Sequence, residues 1–517
     1  MKLKPFKNEP LINFSKPNEA KKMKHAIDSV RAKLGKEYPI LIGNQKHHAQ
    51  DKLRSYNPAH KAQIVGIFQK GTTDLANRAV EAANQAFKEW SALLVEKRVQ
   101  YLVKVASLMR KRRLELGAWI VFEVGKPWEE ADADIAEAID FAEFYAREML
   151  RLGAPQQLVK ISSERNELRY IPLGVGIVIP PWNFPLAIMA GMTFASIVAG
   201  NTVVLKPSSD APAVAAQLME IFREVGLPPG VVNYVTGSGG TIGDALVTHP
   251  KTRYIAFTGS KEVGLRINEL ASKVQRGQIW IKRVIAEMGG KDSIVIDSDA
   301  DLEKAVNGVV GSAFGYQGQK CSACSRAIVV DKVYDKFLNR LVKKVDELRM
   351  GAPDQPGINF GPVINDQAMH KILDYIEKGK SEGRLLIGGR LHQEQGFFVE
   401  PTVIADVAPT ATIAQEEIFG PVLAVIKAKD FDDALRIANN TEYGLTGAVY
   451  TKAKKKIRHA KHEFHVGNLY FNRKCTGALV GVHPFGGFNM SGTDSKAGGK
   501  DYLLLFTQAK VMSEKVK

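Results

Sequence analysis

The sequence predicts an α/β fold with two open, parallel-sheet domains and a small separate arm of strands. At 517 residues the chain is longer than one hydrophobic core usually supports, so two or three domains are expected. From about residue 170 onward, β-rich runs alternate with helical patterns, as they do in repeated βαβ units. A second alternating series begins after residues 291–297 (KDSIVID), and it predicts a second α/β domain.

Amphipathic helices are predicted before residue 150, at 73–90 and 131–150. The strands of the first series are 174–180, 201–207, 231–237 and 253–259. Helices between and after them start near Phe184, Ala211 and Lys261. The second series continues with a helix near 300–316, a strand over 325–330 and a helix over 334–349.

Two strand-like stretches, 158–170 and 503–516, lie far in sequence from both series and predict an outlying arm. The domain boundaries that follow are 1–149 with 171–287 for the first domain, 288–489 for the second, and 150–170 with 490–517 for the arm. The first 35 residues contain a helix-like run, and the sequence indicates no role for them beyond covering the fold.

The bulk composition argues against a membrane protein and a nucleic-acid-binding protein. Residues 171–205 carry no charge, but prolines divide this stretch into strand, loop, buried helix and strand. The net charge of +16 comes from clusters at 21–24, 110–113 and 452–461, which lie far apart without interleaved aromatic residues. We expect no membrane and no nucleic-acid partner, although such a field favours an anionic substrate.

The cysteine content predicts a reducing compartment, with the cytoplasm as the default. Three cysteines in 517 residues are too few for a disulfide framework. The first residues, MKLKPFKNEP, also lack the charged and apolar regions of a secretory leader.

Glycine-rich loops follow two neighbouring strands of the first series and predict a nucleotide cofactor. TGSGGTIG (236–243) and FTGSKEVG (257–264) offer bare backbone where a phosphate could approach a helix N-terminus. Neither is the G-x-G-x-x-G fingerprint, so each alone is a weak signal. Lys206, just past the second strand, would add a cation.

Two of the cysteines stand together in GQKCSACSR (318–326), and their spacing alone leaves their role open. In an extended chain Cys321 and Cys324 are about 10 Å apart, too far for a disulfide bond. Cys475 is the remaining cysteine and no suitable histidine pair stands nearby, so no metal site is predicted. A nucleophilic cysteine and a buried structural cysteine remain equally compatible with the spacing.

Five ordered motifs resemble the aldehyde dehydrogenase superfamily. They are PWNFP (181–185), FTGS (257–260), EMGGK (287–291), GQKC (318–321) and EEIFGPV (416–422). The resemblance extends from about residue 40 over nearly the whole chain. It implies a Rossmann-like cofactor domain, a catalytic domain and an oligomerisation arm, and hence a dimer or a dimer-based homo-oligomer.

The resemblance assigns Cys321 as the nucleophile that attacks an aldehyde. Negative charge then develops on the aldehyde oxygen, and Asn183 matches the family's amide donor to that oxygen. Glu287 matches the general base that activates water for hydrolysis of the thioester. Cys324 matches no chemical role and is expected in the core.

The resemblance also implies an NAD site. Glu417 matches the carboxylate that holds the nicotinamide ribose, Phe419 packs beside it, and Lys206 and Ser208 match contacts to the adenosine ribose. Ser208 and Ser209 stand where an acidic residue is common, so NADP is expected to be tolerated. The other residues assigned to the cofactor are Pro181, Trp182, Gly239, Gly243, Thr258, Gly259, Ser260 and Gly289.

Residues 131–148, CSACSR and 476–499 are similar to the branch of the family that oxidises L-glutamate γ-semialdehyde to glutamate. Gly477, Ala478 and Ser322 match the anchor for the substrate carboxylate in that branch. Glu137 is a candidate to bind the substrate ammonium. Phe184 and Phe485 are expected to pack against the aliphatic part of the substrate. The alternatives are a dehydrogenase of another acidic semialdehyde, such as succinate semialdehyde, or a basic nucleic-acid-binding protein on the same fold.

Overall fold

The computed structural model describes residues 3–393 and 395–516, and it begins with a mainly helical region. Helix α2 starts where Thr72 Oγ1 accepts the Leu75 N–H over 3.3 Å, and α4 ends at the left-handed Gly125. The elements are α1 Pro17–Arg31, β1 Lys36–Tyr38, β2 Ile40–Ile42, β3 Gln45–His47, β4 Lys52–Asn57, β5 His60–Gln69, α2 Thr73–Ala92, α3 Val95–Lys111, α4 Arg113–Val124 and α5 Trp128–Gly153.

The first large sheet has the strand order β11-β10-β7-β8-β9-β2-β3. Its elements are β6 Glu164–Pro172 (which pairs elsewhere), β7 Val175–Ile179, α6 Ala187–Val198, β8 Thr202–Leu205, α7 Pro212–Glu224, β9 Val232–Tyr234, α8 Asp244–Thr248, β10 Thr252–Thr258, α9 Lys261–Ser272 and β11 Arg283–Glu287. Strands β7 to β11 are parallel, whereas β2 and β3 are antiparallel additions from the N-terminal region.

The predicted α/β class is confirmed, but the sheet is not parallel throughout. The prediction relied on strands that alternate with helices. Strands β2 and β3 are short and are not part of such an alternation, so the sequence did not reveal that they extend this sheet. Helix α6 begins at Ala187 rather than at the predicted Phe184. Phe184 precedes Pro185, and the residue before a proline is disfavoured in helical geometry.

The second large sheet has the order β14-β17-β18-β13-β12-β20-β21, with the edge strand β14 antiparallel. The elements of this region are β12 Asp292–Ile296, α10 Leu302–Ala313, β13 Cys324–Val330, α11 Tyr334–Asp346, α12 Asp366–Glu382, β14 Arg384–Ile387, β15 Leu391–Gln393, β16 Phe398–Val399, β17 Thr402–Ala405, α13 Thr412–Gln415, β18 Val422–Ala428, α14 Phe431–Asn439, β19 Tyr443–Gly444, β20 Thr446–Tyr450, α15 Lys454–Glu463, β21 Asn468–Phe471 and β22 Phe488–Asn489. The helices α10 and α11 are shorter than predicted.

The arm is a two-stranded antiparallel ribbon of β6 and β23 Thr507–Lys515. Pairing runs from Thr507 opposite Pro172 to Lys515 opposite Glu164, so strand geometry begins later than the predicted 158. Residues 502–506 form a 3₁₀ turn instead of strand, because Leu503 and Phe506 are fully buried in the core.

The two large sheets are joined by residues 288–291, which connect the carboxyl end of β11 to β12. Ligands of open parallel sheets bind beyond the carboxyl ends of the strands. The loops after β7, β8, β10 and β11 therefore face the junction with the second sheet.

No helix within the described residues has the length and apolar character that crossing a membrane requires. The same residues contain no cluster of three or more His, Cys, Asp or Glu side chains suited to a metal ion.

Candidate active site

Three consecutive residues with left-handed backbone angles precede Cys321. Tyr316, Gln317 and Gly318 have φ values of 51°, 55° and 68°, which is costly for residues other than glycine. A Cβ atom on Gly318 would lie 2.4 Å from the carbonyl oxygen of Gly420, so this position requires glycine. The strained turn fixes the start of the loop that carries the thiol.

The loop from Lys320 to Cys324 is a turn, so the expectation of an extended segment is wrong. The Ala323 N–H donates to the Lys320 carbonyl over 3.0 Å, and β13 begins only at Cys324. The Lys320 ammonium lies 2.7 Å from both carboxylate oxygens of Glu130. Its charge is therefore balanced by an ion pair, and it is not a free cation beside the thiol of Cys321.

The three free cysteines differ in their solvent exposure, which the sequence spacing could not show. Cys324 and Cys475 are 1% and 0% exposed and lie in the core beside the second sheet. The Cys475 thiol donates to the Ser322 carbonyl over 3.4 Å. Cys321 is partly exposed and lines two separate spaces, so the geometry favours it as the nucleophile.

The two spaces that meet at Cys321 differ greatly in size. The first, here called the cofactor cleft, has a volume of about 540 Å³ and lies at the carboxyl ends of β7, β8, β10 and β11. The second, here called the catalytic cavity, has a volume of about 60 Å³ and is lined by Glu137, Glu287 and Phe485 among others. A cysteine between a large and a small space can contact two different molecules at once.

The surroundings of Cys321 favour the protonated form of its thiol. Burial raises the pKa of the Cys321 thiol well above its usual range, and the carboxyl groups of Glu287, Asp292 and Glu417 raise it further. The Ser322 N–H acts in the opposite direction by donating to the sulfur. Attack by this thiol therefore requires a proton acceptor close to it.

Glu287 stands at the end of β11 and, like Cys321, lines the catalytic cavity. Its Oε1 atom is buried and has no hydrogen-bond partner among the described residues, while Ser495 Oγ lies 3.5 Å from Oε2. Burial raises the pKa of the Glu287 carboxyl well above its usual range, and the Lys496 ammonium lowers it in part. When it is ionised, a carboxyl group with a raised pKa is a stronger base than an ordinary carboxylate.

Asn183 lies on the loop after β7, lines the cofactor cleft together with Cys321 and is 3% exposed. Its Nδ2 donates one hydrogen bond of 3.0 Å to the Gln319 carbonyl. The amide nitrogen carries a second hydrogen, which this bond leaves available. That hydrogen can serve an oxygen atom bound near Cys321.

Almost every residue assigned to the cofactor lies in the cofactor cleft. They are Pro181, Trp182, Lys206, Ser208, Thr258, Gly259, Ser260, Gly289, Glu417 and Phe419. Gly239 and Gly243 lie outside its lining. A Cβ on Gly239 would meet nothing within 4 Å, and Gly243 approaches the cleft only through Lys206.

The Glu417 side of the cleft is shaped by close backbone contacts. Glu417 Oε1 accepts the Gly290 N–H over 3.0 Å, and a Cβ on Gly289 would lie 2.2 Å from Oε2. Phe419 adopts a left-handed φ of 60° and packs edge-on against Trp182, with ring centres 5.5 Å apart. These contacts fix the Glu417 carboxylate at the wall of the cleft.

Lys206 provides a hydrogen-bond donor that the described residues use only weakly. Its Nζ makes a single long contact of 3.4 Å, to the Pro207 carbonyl, among the described residues. Burial lowers the pKa of Lys206 to about 8. A volume within the usual range for small ligands, a free cationic donor and glycine-lined walls together fit a dinucleotide.

The residues assigned to the substrate are divided between the catalytic cavity and its surroundings. Glu137 and Phe485 line the cavity, and burial together with Asp134 raises the pKa of Glu137 to about 8. Phe184 lies beneath the ammonium of Lys126, 3.7 Å from its ring centre. Ser322 follows the nucleophile directly and is 8% exposed.

Gly477 and Ala478 lie on a loop, residues 476–481, outside the lining of the cavity. Gly477 has a left-handed φ of 76°. The Arg473 guanidinium donates to the carbonyls of Thr476 and Gly477 over 2.8 and 3.0 Å. These bonds orient two carbonyl groups of the loop toward the arginine.

Sequence analysis did not identify residues 364–371, which line the cofactor cleft from the region of the second sheet. Asn365 caps α12 by accepting the Ala368 N–H over 2.8 Å, and its amide donates to Asp210 over 3.0 Å. Lys371 donates to the Glu417 carbonyl over 3.2 Å. The helix cap was readable from the sequence, but its position opposite the first sheet depends on tertiary packing.

Comparisons with known proteins place this geometry in a family. Residues 45–512 match the Aldehyde dehydrogenase family. The chain belongs to the aldehyde dehydrogenase family. The 1-pyrroline-5-carboxylate dehydrogenase of Geobacillus thermodenitrificans (strain NG80-2) is 56% identical over 512 residues, which is 99% of each chain.

Solved structures of aldehyde dehydrogenases resemble the chain over its full length. The 1-pyrroline-5-carboxylate dehydrogenase from Thermus with bound NAD has a TM-score of 0.98 and 49% identity, with complete coverage of both chains. Proline utilization A from Bdellovibrio bacteriovorus also has a TM-score of 0.98, with 46% identity, and this chain spans 54% of it.

Proposed function

We propose that this aldehyde dehydrogenase oxidises L-glutamate γ-semialdehyde, the open form of 1-pyrroline-5-carboxylate, to L-glutamate with NAD. The observation that carries the proposal is the position of Cys321, between a dinucleotide-sized cleft and a small cavity that contains Glu137 and Glu287. Full-length relatives with the name 1-pyrroline-5-carboxylate dehydrogenase support this choice of substrate.

The first chemical step is addition of the Cys321 sulfur to the aldehyde carbon. A C–S bond forms, the carbonyl π bond opens, and the thiol proton passes to water. The second Nδ2 hydrogen of Asn183 and the Cys321 N–H stabilise the negative charge on the aldehyde oxygen. The product is a hemithioacetal.

Bound NAD supplies the hydride acceptor for oxidation of this intermediate to a thioester. The cleft residues that would hold it are Lys206 and Ser208 at the adenosine ribose and Glu417 at the nicotinamide ribose. Phe419 and Trp182 pack against each other at the same wall. The protein itself contributes orientation and exclusion of water in this step.

Hydrolysis of the thioester uses Glu287 as the general base. Its raised pKa makes the ionised carboxylate a stronger base toward water than an ordinary carboxylate. The hydroxide equivalent attacks the carbonyl carbon, the C–S bond breaks, and Cys321 recovers its proton. Glutamate leaves with its new carboxylate.

Substrate recognition uses both charged groups of the amino acid. Gly477 and Ala478 offer backbone N–H groups, and Ser322 a hydroxyl, to the α-carboxylate. Glu137 accepts from the α-ammonium, which lowers its pKa from about 8 when the substrate is bound. Phe184 and Phe485 pack against the methylene groups.

We expect NAD to be preferred and NADP to be used weakly. Ser208 and Ser209 leave space for a ribose phosphate in the cleft, but the Asp210 carboxyl lines the same region. Asp210 accepts from Asn365 over 3.0 Å, which spreads part of its charge when it is ionised.

The arm supports a homo-oligomer as a further part of the proposal. Three apolar side chains on or beside it are exposed: Val159 by 91%, Ile161 by 50% and Val511 by 63%. Exposed apolar surface of this kind marks protein interfaces. The need for a free thiol at Cys321 favours a reducing compartment, for which we propose the cytoplasm.

The test is formation of NADH, followed by absorbance, from freshly prepared glutamate semialdehyde. Succinate semialdehyde and propanal serve as comparison substrates, and NADP replaces NAD in parallel. We expect the highest kcat/KM with glutamate semialdehyde and NAD. A higher kcat/KM with succinate semialdehyde would overturn the proposed substrate.

A further inference from the structure

The first residues of the chain cross the helix that carries Glu137. The Ile12 N–H donates to Asp132 over 2.8 Å, and the Glu9 N–H donates to Asp140 over 2.7 Å. Both acceptors belong to α5, and Asp140 follows Glu137 by one turn. Residues 3–16, here called the N-terminal segment, are therefore bound to the helix that faces the catalytic cavity.

The same segment contacts the 476–481 loop. Asn8 Nδ2 donates to Asp140 over 2.8 Å and to the Val480 carbonyl over 3.0 Å, so one amide connects the helix and the loop. Phe6 packs edge-on against Phe144 of α5, with ring centres 5.3 Å apart.

Phe6 also packs against the far end of the loop. A Cβ on Gly481 would lie 3.0 Å from the Phe144 ring of α5 and 3.2 Å from the Phe6 ring, and Gly481 has a left-handed φ of 76°. Glycine thus allows the close approach of the N-terminal segment to the loop. The N-terminal segment therefore contacts both elements that carry the proposed ammonium and carboxylate contacts, α5 and the 476–481 loop.

The position of the segment relative to the family match is informative. The family match covers residues 45–512, so residues 3–16 lie outside it. The Thermus 1-pyrroline-5-carboxylate dehydrogenase structure nevertheless corresponds to 100% of this chain. A segment shared with these relatives but absent from the family match fits a role in substrate choice rather than in the common chemistry.

We propose that the N-terminal segment is a specificity element, and that Asn8 is its positioning residue. It holds the 476–481 loop at a fixed distance from Glu137, so that one substrate can meet both with its α-carboxylate and α-ammonium groups. This inference rests on the proposed function, because a simple aldehyde has neither group. Asn8 acts through the loop and the helix and does not contact the reacting atoms.

Steady-state kinetics of Asn8→Ala test the proposal. Losing hydrogen bonds that include one to a carboxylate should raise KM for glutamate semialdehyde about tenfold. We expect kcat with that substrate, KM for propanal and the affinity for NAD to stay unchanged. Asn8→Ser keeps one donor and should give an intermediate KM. Ser15→Ala is the matched control, since Ser15 is exposed and bonds only within the segment, to Asn13.

Phe6→Ala provides a second measurement that leaves the Asn8 bonds in place. It should raise KM for glutamate semialdehyde in the same direction, and it keeps the proposal testable if Asn8→Ala folds poorly. An unchanged KM in a folded variant, or an equal change for glutamate semialdehyde and propanal, would overturn the specificity role. Failure of the wild-type enzyme to oxidise glutamate semialdehyde would overturn the proposed function itself, and it would be seen before any variant is made.

Discussion

The ammonium of Lys126 lies 3.7 Å from the centre of the Phe184 ring, and it also forms a fully buried ion pair with Asp134. Lys126 and Asp134 are each 0% exposed, and Nζ lies 2.9 Å from Asp134 Oδ2. Asp134 Oδ1 accepts the Ala187 N–H over 2.6 Å at the start of α6. The pair therefore connects Phe184, the helix α5 and the start of α6.

Lys126→Met should lower the free energy of unfolding by about 3 kcal/mol, because it leaves the Asp134 carboxyl buried without its cation. Urea denaturation followed by fluorescence measures the change. The double variant Lys126→Met/Asp134→Asn keeps an acceptor for the Ala187 N–H and removes the unpaired charge, so we expect it to recover at least part of the loss.

The exposed pair Lys273 and Glu269 provides the control, with side chains 58% and 67% exposed. Lys273→Met should change the free energy of unfolding by about 0.5 kcal/mol or less. A loss of equal size in the buried and exposed variants would contradict the proposed role of burial.

Cys321→Ala should abolish oxidation of every aldehyde while NAD still binds, since the sulfur forms the covalent bond and the cleft residues hold the cofactor. Turnover by NADH formation and NAD affinity by calorimetry separate the two effects. Cys324→Ala is the matched control, because Cys324 lies in the core and should affect stability more than kcat. Normal turnover by Cys321→Ala would refute its role as the nucleophile.

Part of this site was predictable from short motifs that resemble a known family. Cys321, Glu287 and Asn183 stand in such motifs. In the structure Cys321 lies between the cofactor cleft, which Asn183 also lines, and the catalytic cavity, which Glu287 also lines. Residues 364–371 and the N-terminal segment were not predictable in this way. Their roles depend on which surface they pack against, and no local pattern encodes a contact between Asn8 and Val480.

The sheet edges and the thiol loop show the same distinction. Strands β7 to β10 follow from βαβ alternation, whereas β11 was not predicted and the antiparallel strands β2 and β3 are too short to show a pattern. The turn at Cys321 depends on left-handed residues such as Tyr316 and Gln317, which have no propensity for that conformation. Surrounding tertiary contacts impose it.

Glu287→Gln should slow thioester hydrolysis more than formation of the thioester. The amide cannot take a proton from water, so NADH should appear in a burst of about one equivalent, followed by a slow phase. Stopped-flow absorbance resolves the two phases. Equal slowing of burst and steady state would count against Glu287 as the base for hydrolysis.

Lys496→Met should move the pH profile of kcat to higher pH. The Lys496 ammonium donates to the carbonyls of Gly467 and Gly486 beside Glu287, and it lowers the pKa of that carboxyl. Removing the cation leaves burial and the nearby Asp292 to raise the pKa further, so Glu287 becomes ionised only at higher pH. Activity near neutral pH should fall severalfold and recover in alkaline buffer.

Lys500→Met is the control for this pH shift, because Lys500 is exposed and close in sequence. Its profile should match that of the wild type. A uniform fall in kcat at every pH in Lys496→Met would indicate a structural role for the lysine instead.

Ala478→Leu should raise KM for glutamate semialdehyde about tenfold or more, with little change in KM for propanal. The proposed anchor offers backbone N–H groups, and a larger side chain would keep the carboxylate beyond hydrogen-bond distance of them. Kinetics with both aldehydes measure the effect, and Leu479→Ala on the same loop is the control, since Leu479 is 47% exposed. Because propanal carries no carboxylate, a parallel rise for both aldehydes would mean that the side chain blocks entry to the site. In that case the carboxylate would bind elsewhere, and the 476–481 loop would not determine substrate choice.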